Sequence, residues 1–580
     1  YMDGEQTYAN RYDVNFYTTF DGVNCTNTFL PKGARINSGN SENHNQVIRN
    51  QLSYNNIFAE KHDVSALAGI EMSEYVTSST TNPRIYGYNE NTNTVPAPYY
   101  GTKSNIGNMQ NYSFYTTYYL TPYLGYRFSE RTDRYLSYFG NVAYMYDEKY
   151  GVSASVRSDG SNFVSKDKSL RWSPMWSVGA KWNMKKENFM KDIKWIDRLT
   201  LRATYGLNGN AEKSTSPQTL ISVSSNANTL TDVATIASYG NPTLKWETTH
   251  TTNLGIDFSF FKNILSGKFE YYNRLSKDVI GSVTIPAVYG STTQMFNNAE
   301  ISNRGIELEL TGKYSFNSIG LGIRSTLTYA YNKNKVEKLY NPFVYCYGYM
   351  YASDPSNQYF IEGKPIGAVY AYEFAGMKDG QPYVKGADGE PFPFNDLSLH
   401  NSTYGSDSFL KYMGTTIAPS TFGWANEFSW KGLSLYVYLT GKFGGKFRAP
   451  VADTPPLVGG GSEFISKFIS YYQNSDGTQC PTLPEPDDYW CYRWGRYMPN
   501  LSCFVEDASF IRLKELTVSY QLPTVLLHKI GLKQAKVFCQ ARDLGIIWAA
   551  NSLGYDPEWL PGSGMNKPAA SITLGLNINL

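Results

Sequence analysis

Three things are scarce in this sequence. No apolar run approaches the ~18 residues of a membrane-spanning helix, and mean hydropathy is −0.41, which together exclude a helical membrane protein. Charged residues make up only 18% of the 580 positions, against roughly 25% in ordinary globular proteins. Six cysteines in that length cannot form the dense framework of a disulfide scaffold. Net charge is also small, +2, so no overall field points to nucleic acid or to an acidic partner. The opening, Tyr1-Met2-Asp3-Gly4, has no basic or apolar leader region, and a mature or truncated chain is expected.

Catalytic signatures are missing as well. There is no HExxH, GxSxG or Walker A sequence, so the usual zinc, nucleophile-elbow and phosphate-cradle chemistries have no support. Ser165-Lys166-Asp167-Lys168 matches SxxK in form only; no companion motif accompanies it. His62 and His528 read as structural. Glu307 and Glu309 face one way along a strand, and as residues facing water they need no acid–base role. No EF-hand spacing calls for calcium. The sequence therefore predicts no enzyme, no metal and no cofactor.

What is abundant is tyrosine and glycine, 49 of each, with aromatics at 16%. Period-2 alternation recurs along the chain in about sixteen segments of roughly 9–15 residues. In the last, Ala570, Ile572, Leu574, Leu576, Ile578 and Leu580 oppose Ser571, Thr573, Gly575, Asn577 and Asn579. Leu199, Leu201, Ala203, Tyr205 and Leu207 oppose Thr200, Arg202, Thr204 and Asn208. Near the start, Tyr12, Val14, Phe16 and Phe20 oppose Arg11, Asp13, Asn15 and Asp21, which predicts a first strand there. Such segments exceed the ~5–6 residues of a soluble strand and suit the about 9–11 tilted residues that cross hydrocarbon. Their polar faces carry Glu, Arg and Asp, which a packed core rejects unless paired and a water-filled lumen accepts.

Connection lengths give a second, independent signal. Short links at Glu60-Lys61, Asp147-Glu148-Lys149, Lys262-Asn263-Ile264, Asn317-Ser318 and Lys431-Gly432, with longer ones at 184–196 and 523–533, alternate with long segments such as 77–133, 333–419 and 444–507. That asymmetry is expected of an all-β transmembrane antiparallel barrel with short periplasmic turns and long extracellular loops. It predicts both chain ends on the periplasmic side. Aromatics toward strand ends, among them Trp172, Trp176, Trp182, Phe258, Phe260, Trp424, Phe428 and Trp430, suit the girdles of such a barrel. A soluble propeller or sandwich is the competing architecture, and no blade repeat supports it.

Several segments then resemble one family. Tyr150-Gly-Val-Ser-Ala-Ser-Val-Arg157-Ser-Asp159-Gly160-Ser161 is similar to a signature of the SusC/RagA family of TonB-dependent outer-membrane transporters. Leu201-Arg202-Ala-Thr-Tyr205-Gly206, Asn241-Pro242-Thr-Leu244-Lys-Trp246-Glu247, Asn303-Arg-Gly305-Ile306-Glu307, Ser509-Phe510-Ile511-Arg512-Leu513-Lys514, Ala541-Arg542-Asp543-Leu544 and Gly554-Tyr555-Asp556-Pro557-Glu558 follow in the family's order. Each is weak alone; in order, over nearly the whole chain, they are specific.

The resemblance implies a roughly 22-stranded barrel occluded by an N-terminal plug, with a TonB box ahead of the plug and a SusD-like lipoprotein as extracellular lid. It implies outer-membrane import of oligosaccharides or peptides, driven through the TonB complex. The chain departs from that pattern: no plug or TonB box is found, and about sixteen strands are read. Residues 1–580 are therefore expected to be the C-terminal part of the barrel, since an open sheet in lipid leaves two unsatisfied edges. A closed sixteen-stranded porin-like or surface-adhesion barrel is the alternative.

Candidate ligand or lid contacts lie in two aromatic loops. Tyr345, Tyr347, Tyr349 and Tyr351 crowd one; Trp490, Tyr492, Arg493, Trp494 and Arg496 crowd the other. Flat rings stack on sugars or on peptide side chains, and Arg bonds hydroxyls or carboxylates. The same residues could instead fold the loops themselves. Cys480 and Cys491 share a loop as a possible disulfide, while Cys539, alternating with Val537 and Ala541, reads as a free packing residue. Asp379-Gly380 and Asp388-Gly389 predict hairpin turns.

Overall fold

The computed structural model describes residues 2–3, 18–20, 25–28, 33–82, 85–95, 109–110, 117–118, 127–162, 164, 168–210, 218–226, 231–286, 288, 293–341, 349–350, 352–354, 359–378, 381–386, 389–393, 410–450, 476–478, 481, 498–528, 531–551, 553–560 and 567–579. These fall into two compact units, one of residues 1–50 and 70–137, the other of 51–69 and 138–580.

Fifteen long strands pair strictly in chain order, all antiparallel where their registers are resolved. They are β1 (Gly39–Phe58), β2 (His62–Thr81), β3 (Arg127–Tyr146), β4 (Tyr150–Ser161), β5 (Trp172–Asn183), β6 (Ile196–Asn210), β7 (Glu247–Phe260) and β8 (Leu265–Thr284), followed by β9 (Thr293–Phe316), β10 (Leu321–Leu339), β11 (Ser420–Trp430), β12 (Leu433–Phe443), β13 (Phe510–Gln521), β14 (Gln534–Ala549) and β15 (Ser571–Asn579). The larger unit holds β4–β15 whole and the turn-side halves of β1–β3. Among the described residues β1 and β15 form the two edges of the sheet and do not pair with each other.

The alternation works as read. Ile572, Leu574, Leu576 and Ile578 are all exposed, Leu574 at 78%, so this apolar row is not folded into a dry centre. The same holds for Val152, Val178, Tyr205, Leu254, Ile256, Trp424, Phe428 and Val518 on their strands. Polar groups on that face pair with one another between β10 and β11: the Ser325 hydroxyl bonds Asn426 Oδ1 at 2.8 Å and accepts from Trp424 Nε1 at 2.9 Å. Lipid offers no substitute partner, so such pairing is required there.

Two expectations need correction. Strand lengths run from 9 to 24 residues, longer than the alternation alone marks, because beyond the hydrocarbon a ladder can continue without an apolar face. The strand predicted at 11–21 does not join the sheet where it is described: Thr18–Phe20 forms a short hairpin with Cys25–Thr28 in the smaller unit, while residues 11–17 lie outside the described residues. Local periodicity cannot name a strand's partner. Among the described residues the sheet has fifteen strands, in keeping with the about sixteen expected.

All seven short links fall at one end of the sheet. Ala59 and Glu60, Asp147 and Glu148, and Phe261, Lys262 and Asn263 take positive φ there, as do Lys431 and Gly432. Left-handed residues match the right-handed twist of the flanking strands in a tight hairpin. At the other end the connections build a layer of their own. Ala368–Tyr372 pairs with Leu410–Thr415, Phe374–Lys378 pairs with Gln381–Lys385, and Lys446–Arg448 pairs with Val505–Asp507, while the predicted Asp379-Gly380 turn lies outside the described residues.

In the smaller unit Met2–Asp3, Ala34–Ile36 and Ile85–Tyr88 form a three-stranded sheet. The loop-side parts of β1–β3 are cross-linked there by Arg49–Glu71 at 3.7 Å and Arg134–Glu74 at 2.5 Å.

Candidate functional site

The polar face of the sheet is a wall of charge and hydroxyl. Arg202 on β6 donates through Nε and Nη2 to Asp257 on β7, both at 3.0 Å, and through Nη2 to Glu270 on β8 at 2.7 Å. Lys268 on β8 meets Glu309 on β9 at 3.1 Å. Hydroxyl pairs continue the lattice: Ser155–Ser177 at 2.6 Å, Thr249–Ser276 at 2.8 Å and Thr311–Thr326 at 3.0 Å. A recess of about 330 Å³ opens among Glu270, Glu307, Glu309, Thr328, Thr421 and Gly423. Only an aqueous or polar filling suits such a surface.

The motifs that carried the family resemblance turn out to be staples and seats in this wall. Gly305 lies beneath the ring of Tyr272, and a Cβ there would sit 2.5 Å from the phenol oxygen. Asn241 Nδ2 donates to Met295 O at 3.0 Å, Trp246 Nε1 to Arg171 O at 2.8 Å, and Glu247 accepts from Ile280 N at 2.8 Å. The 241–247 segment is thereby tied across β8 and β9. Arg512, its side chain 7% exposed, donates to Asp556 at 2.8 Å and to Glu558 at 2.9 Å, while Lys442 meets the second oxygen of Glu558 at 2.7 Å. Two motifs 44 positions apart therefore form one clamp. Arg542 bonds Glu515, and Asp543, at positive φ, pairs with Lys514.

Above the sheet, the connections pack around Tyr370, Tyr372, Val384, Leu501 and Phe504, all fully buried. Tyr349 is the one predicted contact residue among the described residues. It is partly buried and packs edge-on against Tyr370, ring centres 5.1 Å apart. That is a loop-folding position, one of the two roles the sequence left open. Tyr345, Tyr347, Tyr351, Trp490, Tyr492, Arg493, Trp494 and Arg496 lie outside the described residues, as do Cys480 and Cys491. Cys539 is a free thiol on the apolar face, exposed rather than packed. His62 is structural, with Nδ1 2.8 Å from the Tyr144 hydroxyl.

Arg448, which the sequence did not single out, enters this loop core. Its Nη2 donates to Tyr370 O at 2.7 Å, Nη1 has no partner, and burial pulls the guanidinium down to about 10. Burial likewise pushes the Glu506 carboxyl up. Glu373 goes the other way, held below the usual range by Lys385 and then Lys411, each 3.0 Å away. No local pattern announces these residues, since their partners are remote in sequence. Among the described residues no group of acids, His and Cys could hold a metal ion.

Comparison with known proteins decides the family. Residues 2–369 match the profile described as TonB dependent receptor-like, beta-barrel. The chain belongs to that family. Its TonB-dependent receptor relatives include receptor P3 of Formosa agariphila, 28% identical over 446 residues, covering 73% of this chain and 42% of that protein. SusC of Bacteroides thetaiotaomicron is 32% identical over 186 residues, 31% of this chain and 18% of that one. The RagAB peptide transporter superposes with a TM-score of 0.70 at 21% identity, covering 94% of this chain and 56% of that chain. This TonB-dependent receptor barrel is thus SusC/RagA-like, and it spans about half the length of the relatives it matches. The fold expectation, an antiparallel transmembrane β-barrel sheet with turns at one end and long loops at the other, is the family's own.

Proposed function

We propose that this chain is the C-terminal wall of an outer-membrane active importer of oligosaccharides or peptides. Its turn end faces the periplasm and its loop layer the exterior. The remaining strands, a plug and a TonB box belong to the rest of the protein, and a SusD-like lipoprotein covers the mouth. The two sheet edges left unpaired among the described residues and the half-length coverage of relatives support that division.

One observation carries the reading: the sheet is apolar on one face and lined by the Arg202–Asp257–Glu270 and Lys268–Glu309 pairs on the other. A wall of that kind separates lipid from a hydrated chamber. The aromatic loops that include Tyr349, Trp490 and Trp494 then supply ligand or lid contacts, and energy arrives through TonB acting on the plug rather than through chemistry on this chain.

Purification of the native full-length protein from outer membranes in mild detergent tests this. A co-eluting lipoprotein and a bound glycan or peptide, identified by mass spectrometry, are expected. Steady ion conductance in planar bilayers, with neither lipoprotein nor cargo recovered, would establish a passive pore instead.

A further inference from the structure

The seven links at the turn end divide into two kinds. In 59–61, 147–149 and 184–195, acids accompany the lysines. Lys149 meets Asp147 at 2.8 Å, Lys186 meets Glu148 at 2.5 Å, and Lys185 is spent on the carbonyls of Met190 and Ile193 at 2.9 and 2.8 Å. The other four links, 261–264, 317–320, 431–432 and 522–533, contain no Asp or Glu. They present Lys262, Lys431 and Lys533, all exposed and none in an ion pair among the described residues. Asp197 touches this arc by accepting from Asn263 N at 2.8 Å.

The same four links, with the strand end beside Lys431, expose large apolar groups: Phe261, Ile319, Trp430 and Val525. Trp430 is anchored by its indole N–H on Ile319 O at 3.1 Å, and Lys431 Nζ stands 5.3 Å from its ring centre. Aromatic rings of this kind settle at the headgroup level of a bilayer. The Lys262 and Lys431 ammonium groups, each one residue from such a ring, are then held where lipid phosphates lie.

We propose that the arc from Lys262 through Lys431 to Lys533 binds the phosphate headgroups of anionic glycerophospholipid in the leaflet on the turn side. The inference rests on the membrane-spanning reading above. Each ammonium near an anionic surface adds roughly 1 kcal/mol, screened by salt. In the other three links five acids, Glu60, Asp147, Glu148, Glu187 and Asp192, offset six lysines, so retained lipid gathers beside β7–β15.

The test uses the native full-length protein placed in nanodiscs of phosphatidylglycerol or phosphatidylcholine, with lipid retained after detergent extraction read by native mass spectrometry. About tenfold preferential retention of phosphatidylglycerol at low salt is expected, weakening at high salt. Lys262→Gln, Lys431→Gln and Lys533→Gln together should reduce it to about twofold or less, while Lys149→Gln and Lys186→Gln leave it unchanged. Insertion into both bilayers with equal, salt-independent retention overturns the arc alone. Failure to insert into either, with strand content intact by circular dichroism, overturns the membrane reading with it.

Discussion

Arg202 reaches Glu270, two strands away, by passing over Gly255. The three positions lie side by side on β6, β7 and β8, and a Cβ on Gly255 would stand 3.0 Å from Arg202 Nη2 and 3.2 Å from Cζ. The glycine is needed for closeness, not for its backbone angle. It allows one guanidinium to join three strands.

Substitution at that position tests the relationship. Gly255→Ala should shift the guanidinium by a few tenths of an ångström and cost well under 1 kcal/mol, because the pair is partly solvated. Gly255→Val should break the contact to Glu270. A double-mutant cycle of Arg202→Gln with Glu270→Gln, read by urea unfolding in detergent micelles, should give coupling of about 1 kcal/mol in the parent and near zero in the Gly255→Val background. Undiminished coupling in that background would show that the pair does not depend on the glycine.

The apolar face makes a sharper claim. Leu574→Arg should destabilise by about 2–4 kcal/mol if the residue sits near the bilayer midplane, whereas Thr573→Arg on the opposite face should cost little. Equal losses for the two, measured in lipid vesicles, would contradict the assignment of faces.

Arg512 clamps Asp556 and Glu558 while almost wholly buried. Removing one partner of such a group leaves uncompensated buried charge, so Arg512→Gln should cost on the order of 3 kcal/mol. Amide exchange across 551–560 should accelerate first, since Asn551 and Tyr555 hold that turn by reciprocal bonds at 3.1 Å. Unaltered exchange there would remove the clamp's proposed role.

Arg448 predicts the opposite sign. Its guanidinium is buried with one unpartnered amino group, so Arg448→Met should be neutral or stabilising by about 1 kcal/mol. Arg448→Ala should destabilise through lost packing. Thermal unfolding of both variants checks the pair of signs.

Acid should loosen the loop layer. The folded carboxyl of Glu373 titrates below its ordinary 4.5 because Lys385 and Lys411 favour its charge. Its contribution is therefore complete above that value and is lost as pH falls through the lowered one. The group is largely solvated, so the effect is about 1 kcal/mol or less. Exchange in 374–385 should rise more steeply below pH 4.5 in the parent than in Glu373→Gln.

Much of this was legible in the sequence, and the limits have a physical basis. Side chains alternate across a strand, so the two faces of β15, the charge of β6 and the placement of Trp424 and Trp430 follow from local order alone. Turn length is local too, and it separated the two ends of the sheet. The stretch 11–21 shows where this stops, since alternation marks a strand without naming its neighbour.

Sequence alone thus determined which residues meet lipid and which meet water, because period-2 geometry ties facing to position. Only the tertiary structure decided that Arg202 crosses Gly255 to Glu270, that Arg512 finds Asp556, and that the Arg448 guanidinium enters the loop core. Those outcomes depend on register and on packing between segments far apart in the chain, which no local period encodes.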